Sequence, residues 1–514
     1  MSGTMLANSM GSLLAQAAQA PFDKPVIDFH ALAPEIVLVA LTAVVLLVDL
    51  IKLEDAKRFV PGLTGVAALA SIIPIISLAL DGADRSLFGG AYVVDNMALV
   101  LKAMFLITGY VVTLLASNYM AEGDFWESEF YVMLLSSLLG MVIMSSARDL
   151  VTIFVALELL SIPAYLMAAW EKRNLRSNEA GLKYYLMGVF ASALMLYGMS
   201  LLFGVSGSTL LTDINASIGE AASSTPIVTL GIVLVIVGFG FKVSAVPFHS
   251  WAPDTYEGAP TPVTAFLAVG SKAAGFVALI QLVFIGFVGR SDVVQPMMWV
   301  LAAASMTVGN LIALRQTNVV RLLAYSGVAQ AGFMLAPFAV VGSNAEDALV
   351  AVVTYLLIYA AMNLAAFGVV IAVSRRTQSG EIASFGGLFS YAPAMAVAMT
   401  LALASLAGIP PLGGWFAKFV VFRALAAADT GWGYSLAVVV AVNSVIAFYY
   451  YGLVLKAMWF TETPDGDTAP LRVPVSLVSA LTLTVAATVL FGIFPGLVGH
   501  FAGNLDGLVA AAGR

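Results

Sequence analysis

The sequence has no cysteine, only three histidines, and few charges: 10% of its 514 residues are Asp, Glu, Lys or Arg. Without cysteine there are no disulfides, no thiolate nucleophile and no Cys-ligated iron–sulfur cluster. His30, His249 and His500 stand too far apart in the chain to suggest a metal or haem site. No G-x-G-x-x-G or P-loop pattern opens a helix after a strand, so nucleotide binding finds no support. No basic stripe exists, which argues against a nucleic-acid partner. The net charge of −7 says little, because most charges fall between the apolar runs.

What the sequence does have is apolar length. Hydrophobic residues make up 61% of the chain, and runs of about 20 apolar residues, each long enough to cross a bilayer, recur from residue 34 to residue 495. The pattern predicts an all-α polytopic membrane protein with fourteen spans: 34–51, 60–80, 97–118, 128–147, 149–170, 178–204, 226–246, 261–288, 296–314, 318–341, 347–374, 391–428, 434–460 and 472–495. The twelfth is too long for one crossing and contains AGIPPLGGWFAK (407–418), so it reads as a broken helix. The seventh breaks at Pro247, with 248–260 at or dipping into the membrane edge. Ahead of the spans, SLLAQAAQA (12–20) resembles a short secretory apolar region and cleavage site with no basic segment before it. Residues 1–31 are read as an N-terminal extension.

Lys and Arg fall unevenly between the two sets of loops. One side carries Lys52, Lys57, Arg58, Lys172, Arg173, Arg176, Arg315, Arg375, Arg376 and Arg472; the other carries Lys24, Arg85, Arg148, Arg290 and Arg514. The richer side is expected in the cytoplasm, with both termini outside. The acidic loop AEGDFWESE (121–129) runs against that trend.

An internal repeat is also visible. YLMGVFASALMLYG (185–198) aligns without gaps on YLLIYAAMNLAAFG (355–368): Tyr185, Leu186, Ala191, Leu194 and Gly198 recur as Tyr355, Leu356, Ala361, Leu364 and Gly368. The sixth span thus maps onto the eleventh. Five spans apart is an odd number, so the two copies run in opposite directions, the inverted repeat of transporters. The broken segments follow in the same order, seven after six and twelve after eleven. This divides the chain into helices 1–3 (32–127), a first repeat (128–288, helices 4–8), a second repeat (296–460, helices 9–13), and helix 14 with its tail (472–514).

The charges inside the spans that stand out are Lys102, Glu158, Lys183, Lys242, Lys272 and Lys418, with Arg321 and Arg423 near span ends. A lysine at a helix centre costs about 2.5–3.5 kcal/mol on insertion scales, so four of them cost on the order of 10 kcal/mol. Lys102 lies near a span start, from which it is expected to snorkel to the interface. Glu158 is expected to pair with Lys183 on the next helix. One glutamate cannot neutralise Lys183, Lys242, Lys272 and Lys418 together, and burial disfavours a lysine's charged form, so the surplus lysines are expected to exchange protons. In GFGFKVSAVPFHSWAPDTYEGAPTPV (238–263), Pro247 frees backbone carbonyls, and Lys242 stands in the last turn before the break, where the helix dipole favours a cation. Irregular backbone at depth is tolerated where it lines a wet cavity or is buried in protein. Lys272 lies among small residues, and Lys418 follows the second break. His249, the only mid-chain histidine, is placed to bridge the two halves. Together these residues form an expected proton track of Glu158, Lys183, Lys242, Lys272, Lys418 and His249. No cluster of aromatic or carboxylate groups near the breaks suggests a sugar or amino-acid site.

At this point the chain resembles the subunit N family of bacterial proton-pumping NADH:quinone oxidoreductase (respiratory complex I), one of the antiporter-like groups shared with multisubunit Na+/H+ antiporters. The resemblance rests on LAPEIVLVALTAVVLLVDL (32–50), FVALELLSIPAYLMAAW (154–170), GLKYYLMGVFASALMLYG (181–198), FKVSAVPFHSWAPDTYEGAPTPVTAFLAVGSKAAG (241–275), RLLAYSGVAQAGFML (321–335) and LASLAGIPPLGGWFAKF (403–419). It covers about residues 32–495. It implies that Glu158 is the family's helix-five glutamate and Lys183 the lysine after it. Lys242, Lys272 and Lys418 match the broken-helix, central and helix-twelve lysines. It further implies a membrane-arm subunit of the bacterial inner membrane that contacts other membrane-arm subunits, antiporter-like neighbours and lipid. NADH, FMN, iron–sulfur clusters and quinone would be bound by partner subunits and none by this chain. A subunit of a cation/proton antiporter without a redox link, and a structural subunit with an inactive transporter fold, are the alternatives.

Overall fold

The computed structural model describes residues 27–51, 59–82, 84–123, 127–221, 226–464 and 466–503. The SLLAQAAQA segment and most of the N-terminal extension lie outside the described residues. Helices α1 to α6 are Ala33–Leu50, Val60–Asp81, Asn96–Glu122, Glu127–Ser146, Leu150–Ala168 and Leu175–Ser206. The seventh is broken into α7a (Pro226–Lys242) and α7b (Trp251–Gly258). There follow α8 (Thr261–Gly286), α9 (Ser291–Ala313), α10 (Val319–Leu335) and α11 (Ala345–Thr377). The twelfth is again broken, into α12a (Pro393–Ala407) and α12b (Gly413–Ala427), before α13 (Gly431–Phe460) and α14 (Val475–Ile493). Eleven of the described helices are long and apolar enough to cross a membrane, with α7a and α12a among the shorter apolar ones. Each of the fourteen expected spans has its counterpart.

Polar residues at the helix ends set these boundaries. Asp95 caps α3 by accepting from the Ala98 amide at 2.8 Å, Asp149 caps α5 through Thr152 at 2.9 Å, and Asn174 caps α6 through Arg176 at 3.0 Å. Each satisfies amides that the helix leaves unpaired. The break in α7 comes five residues before Pro247: the helix stops at Lys242, and Ser244 takes a left-handed φ of 60°. The break in α12 begins at Gly408, whose φ of 94° favours a residue without a Cβ. A small antiparallel hairpin, β1 (Arg85–Leu87) with β2 (Tyr92–Val94), joins α2 to α3.

Close backbone approach fixes how the helices meet. Between α6 and α7a, a Cβ on Gly198 would stand 2.7 Å from the Gly231 carbonyl, so only glycine lets these helices pack at that distance. Helices α8 and α11 are buried on almost every face, while α6 and α13 leave most of their surface outward. Lys272 is therefore carried by the most enclosed of the described membrane-length helices. A π-helical turn at Leu267–Ser271 immediately precedes it, a local widening of the helix that recurs at functional sites.

Candidate proton-path residues

The antiparallel register of α5 and α6 decides where Glu158 and Lys183 go. A Cβ on Gly181 would meet Ala169 at 2.4 Å, one on Gly188 would meet the Tyr165 hydroxyl at 2.1 Å, and Ser192 donates to Glu158 Oε1 at 2.6 Å. Glu158 thus stands at the level of Ser192, nine residues and about 13 Å along the helix from Lys183. The expected Glu158–Lys183 pair does not form, because a lysine side chain cannot span that rise. Lys183 instead bonds Asp254 of α7b at 2.8 Å and Glu179, one turn back, at 2.7 Å.

Lys242 takes the place beside Glu158. It is 3% exposed and donates to Ser161 Oγ at 2.8 Å and to the Tyr184 hydroxyl at 3.2 Å. Ser161 lies three residues after Glu158 on the same face of α5, so the hydroxyl that receives the Lys242 ammonium is one helical turn along from Glu158. Tyr184 is held by stacking on Trp251, with ring centroids 4.5 Å apart, while the Trp251 indole donates to the Phe241 carbonyl at 3.0 Å. The Tyr184 hydroxyl also lies 3.5 Å from Ser271 Oγ, which adjoins Lys272.

Lys272 and Lys418 are held by main-chain carbonyls. Lys272 donates to Gly327 of α10 at 2.8 Å and Lys418 to Ala407, the last residue of α12a, at 2.8 Å. Lys418 also lies 4.8 Å above the Phe333 ring. In both broken helices a lysine thus occupies the negative, C-terminal end of the first half: Lys242 belongs to that end, and Lys418 reaches it from the second half. No carboxylate lies within ion-pair distance of Lys242, Lys272 or Lys418 among the described residues. His249 sits in the α7 break with its ring 6.4 Å from Tyr325; its Nδ1 is buried without a hydrogen-bond partner among the described residues.

Between Lys272 and Lys418 lies a fully buried polar network that the charge pattern did not reveal. Ser326, next to Gly327, is 2.5 Å from the Tyr451 hydroxyl. Gln330 donates to Tyr451 at 3.5 Å and to the Leu406 carbonyl at 3.1 Å, and it accepts from Tyr355 at 2.5 Å. Leu406 precedes Ala407, the acceptor for Lys418. Polar groups therefore run from one lysine to the other with two peptide units as the only steps between them. All of these side chains are uncharged, so intramembrane charge gives no sign of them.

Lys102 does not snorkel. It is wholly buried, 2.8 Å from Glu35 of α1 and 2.8 Å from the Tyr92 hydroxyl, which itself donates to Glu35 at 2.5 Å. Its ammonium is closed in between Glu35 of α1 and Tyr92 of the hairpin, with no part of the residue exposed. Two cavities, of about 280 and 400 Å³, open on the face bearing Arg176, Arg321 and Arg375; the smaller is lined by Lys183, Asp254, Glu179 and Glu257.

Comparison with known proteins follows the same residues. Residues 147–446 match the family described as NADH:quinone oxidoreductase/Mrp antiporter, transmembrane. Subunit N of NADH-quinone oxidoreductase from Trichlorobacter lovleyi is 36% identical over 484 residues, covering 93% of this chain and 96% of its own. Subunit 2 of the NAD(P)H-quinone oxidoreductase of Thermosynechococcus vestitus is 41% identical over 473 residues, covering 90% and 89%. A chain of respiratory complex I from Thermus thermophilus superposes with a TM-score of 0.75 at 30% identity, covering 92% of this chain and 99% of that one. A chain of the Mrp complex from a Dietzia species superposes with a TM-score of 0.79 at 20% identity, covering 95% and 100%, and so shares the fold.

Proposed function

The chain belongs to the NADH:quinone oxidoreductase/Mrp antiporter family of membrane subunits, on its subunit N branch, and from that premise we propose that it moves protons across the membrane within an NADH:quinone oxidoreductase. Glu158, Lys242, Lys272 and Lys418 carry the charge along the membrane interior, Lys183 receives it at the Lys/Arg-rich face, and His249 serves the α7 break. The observation that carries this reading is the line of buried lysines held only by neutral oxygens. Each is bonded to a hydroxyl or carbonyl, which accepts a hydrogen bond from an ammonium and tolerates its loss of a proton better than a carboxylate would. A static scaffold gains nothing from three such groups.

The redox chemistry, with NADH, FMN, iron–sulfur clusters and quinone, is assigned to partner subunits. Its energy reaches this chain through neighbouring membrane-arm subunits, some of them antiporter-like. Glu158 supports such a neighbour: it is half-buried on α5 beside the exposed Val151, Val155, Ile162 and Leu166, and a carboxylate at that depth is better covered by protein than by lipid. The apolar span surface that no neighbouring subunit covers faces lipid. We place the chain in the bacterial inner membrane with both termini outside, its two repeats at 128–288 and 296–460. Identity of 30–41% to chains of quinone oxidoreductases and complex I, against 20% to the Mrp chain, favours the redox-linked reading over a free-standing antiporter.

The test is Lys242→Ala in the assembled complex. NADH-driven acidification of inside-out vesicles is expected to fall severalfold while native gels show an intact complex. Wild-type pumping in the assembled variant would remove Lys242 from the path.

A further inference from the structure

Among the described residues, Asp254 is the one carboxylate that joins three helices of the site. Its Oδ2 accepts from Lys183 of α6 at 2.8 Å and its Oδ1 from Arg321 of α10 at 3.0 Å, while Asp254 itself belongs to α7b. Glu179 holds Lys183 from the other side, and Glu257 holds Arg321 at 2.8 Å. These five groups, with Arg176, wall the cavity of about 280 Å³. Helix α7b is pressed against α6 here: a Cβ on Gly258 would stand 2.5 Å from the Arg176 carbonyl and 2.8 Å from Ala180.

The two helices tied by this carboxylate are those that supply the acceptors of two buried lysines. Lys183 is followed directly by Tyr184, the hydroxyl partner of Lys242. Arg321 stands six residues before Gly327 on α10, and Gly327 is the carbonyl partner of Lys272. Helix α7b itself begins with Trp251, on which Tyr184 stacks. A helix is stiff over two turns, so displacement at Lys183 or Arg321 is passed to Tyr184 or Gly327. As a source of stability the cluster is weak, because its side chains are too exposed, Lys183 at 42% and Asp254 at 39%, for the pairs to contribute much. Its geometric consequence is the larger one.

Resting on the proton-path reading, we propose that Asp254 is a positioning residue. By clamping α6 and α10 onto α7b it holds Tyr184 on Lys242 and Gly327 on Lys272 at the same time. An amide in its place keeps one acceptor and turns an N–H donor toward Lys183 or Arg321, so one arm of the clamp must open.

The test compares Asp254→Asn, Asp254→Glu and Lys242→Ala in the assembled complex in inside-out vesicles, reading protons pumped per NADH oxidised against complex content on native gels. Asp254→Asn is expected to assemble at the normal level and to lose at least half of its pumping ratio. Asp254→Glu, which keeps both acceptors, is expected to restore most of it. Should Asp254→Asn fail to assemble, Arg321→Gln and Lys183→Gln each open one arm and are expected to lower the ratio in the same sense. A normal ratio in assembled Asp254→Asn, a loss that Asp254→Glu does not rescue, or normal ratios in both single-arm variants would overturn the proposal. If Lys242→Ala abolishes pumping while Asp254→Asn does not lower it, only the positioning role falls. If Lys242→Ala pumps normally, Lys242 leaves the proton path and the positioning role falls with it.

Discussion

The ammonium of Lys418, on the second half of broken helix α12, lies 2.8 Å from the carbonyl of Ala407, the last residue of the first half. The break presents a carbonyl that no helical amide claims, and the lysine completes it. Gly408 makes this possible: its φ is 94°, and a Cβ there would stand 3.0 Å from Lys418 Cδ. Gly408→Ala is thus expected to lower NADH-driven pumping about as much as Lys418→Met, since it strains the left-handed turn by about 1–2 kcal/mol and displaces the same ammonium. Vesicle acidification measured on both variants at matched complex content checks this.

Gly327 offers a finer probe of Lys272. A Cβ at position 327 would stand 2.9 Å from Lys272 Nζ and 3.4 Å from the Tyr359 hydroxyl. The lysine tip is flexible, so the helix survives and the ammonium moves off the Gly327 carbonyl. Gly327→Ala is expected to reduce pumping severalfold with assembly unchanged. Gly452→Ala, where nothing lies within 4 Å, is expected to be silent and serves as the control.

The spans and both breaks were legible because apolar length and proline act locally. The buried lysines were legible because a charge within an apolar run is costly wherever it points. Pairing was not legible. Whether Glu158 meets Lys183 depends on the register of α5 against α6, which glycine contacts at 181 and 188 set. Lys102 resembled an interfacial anchor because Glu35, its partner, comes from a distant span and itself lies at a helix start. Gln330, Ser326 and Tyr451 gave no signal, since uncharged polar residues are common in membrane helices and only the fold shows that these three touch.

That network carries its own prediction. Gln330 is wholly buried and bonds Tyr355, Tyr451 and the Leu406 carbonyl. Gln330→Leu leaves the Tyr355 hydroxyl and the Leu406 carbonyl unpaired, at about 1–3 kcal/mol for each group. The complex is expected to melt earlier and to pump less. Tyr451→Phe, which removes one hydroxyl and little volume, is expected to lower pumping with a smaller thermal shift. Differential scanning of the purified complex beside vesicle acidification separates the two effects. Equal pumping in Tyr451→Phe and wild type would leave the network a purely structural one.

Lys102 and Glu35 are expected to behave differently from the track lysines, because here a buried lysine has a carboxylate partner 2.8 Å away. Removing one partner strands the other in the core, which costs about 3–5 kcal/mol, whereas replacing both with apolar groups of similar volume is often neutral. Lys102→Met is therefore expected to reduce complex content and melting temperature strongly, as is Glu35→Leu. The double variant Lys102→Met/Glu35→Leu is expected to recover most of the loss, with the Tyr92 hydroxyl left as the remaining cost. Melting temperatures of the three variants form a double-mutant cycle. A double variant no more stable than either single one would mean that the loss does not come from a stranded charge.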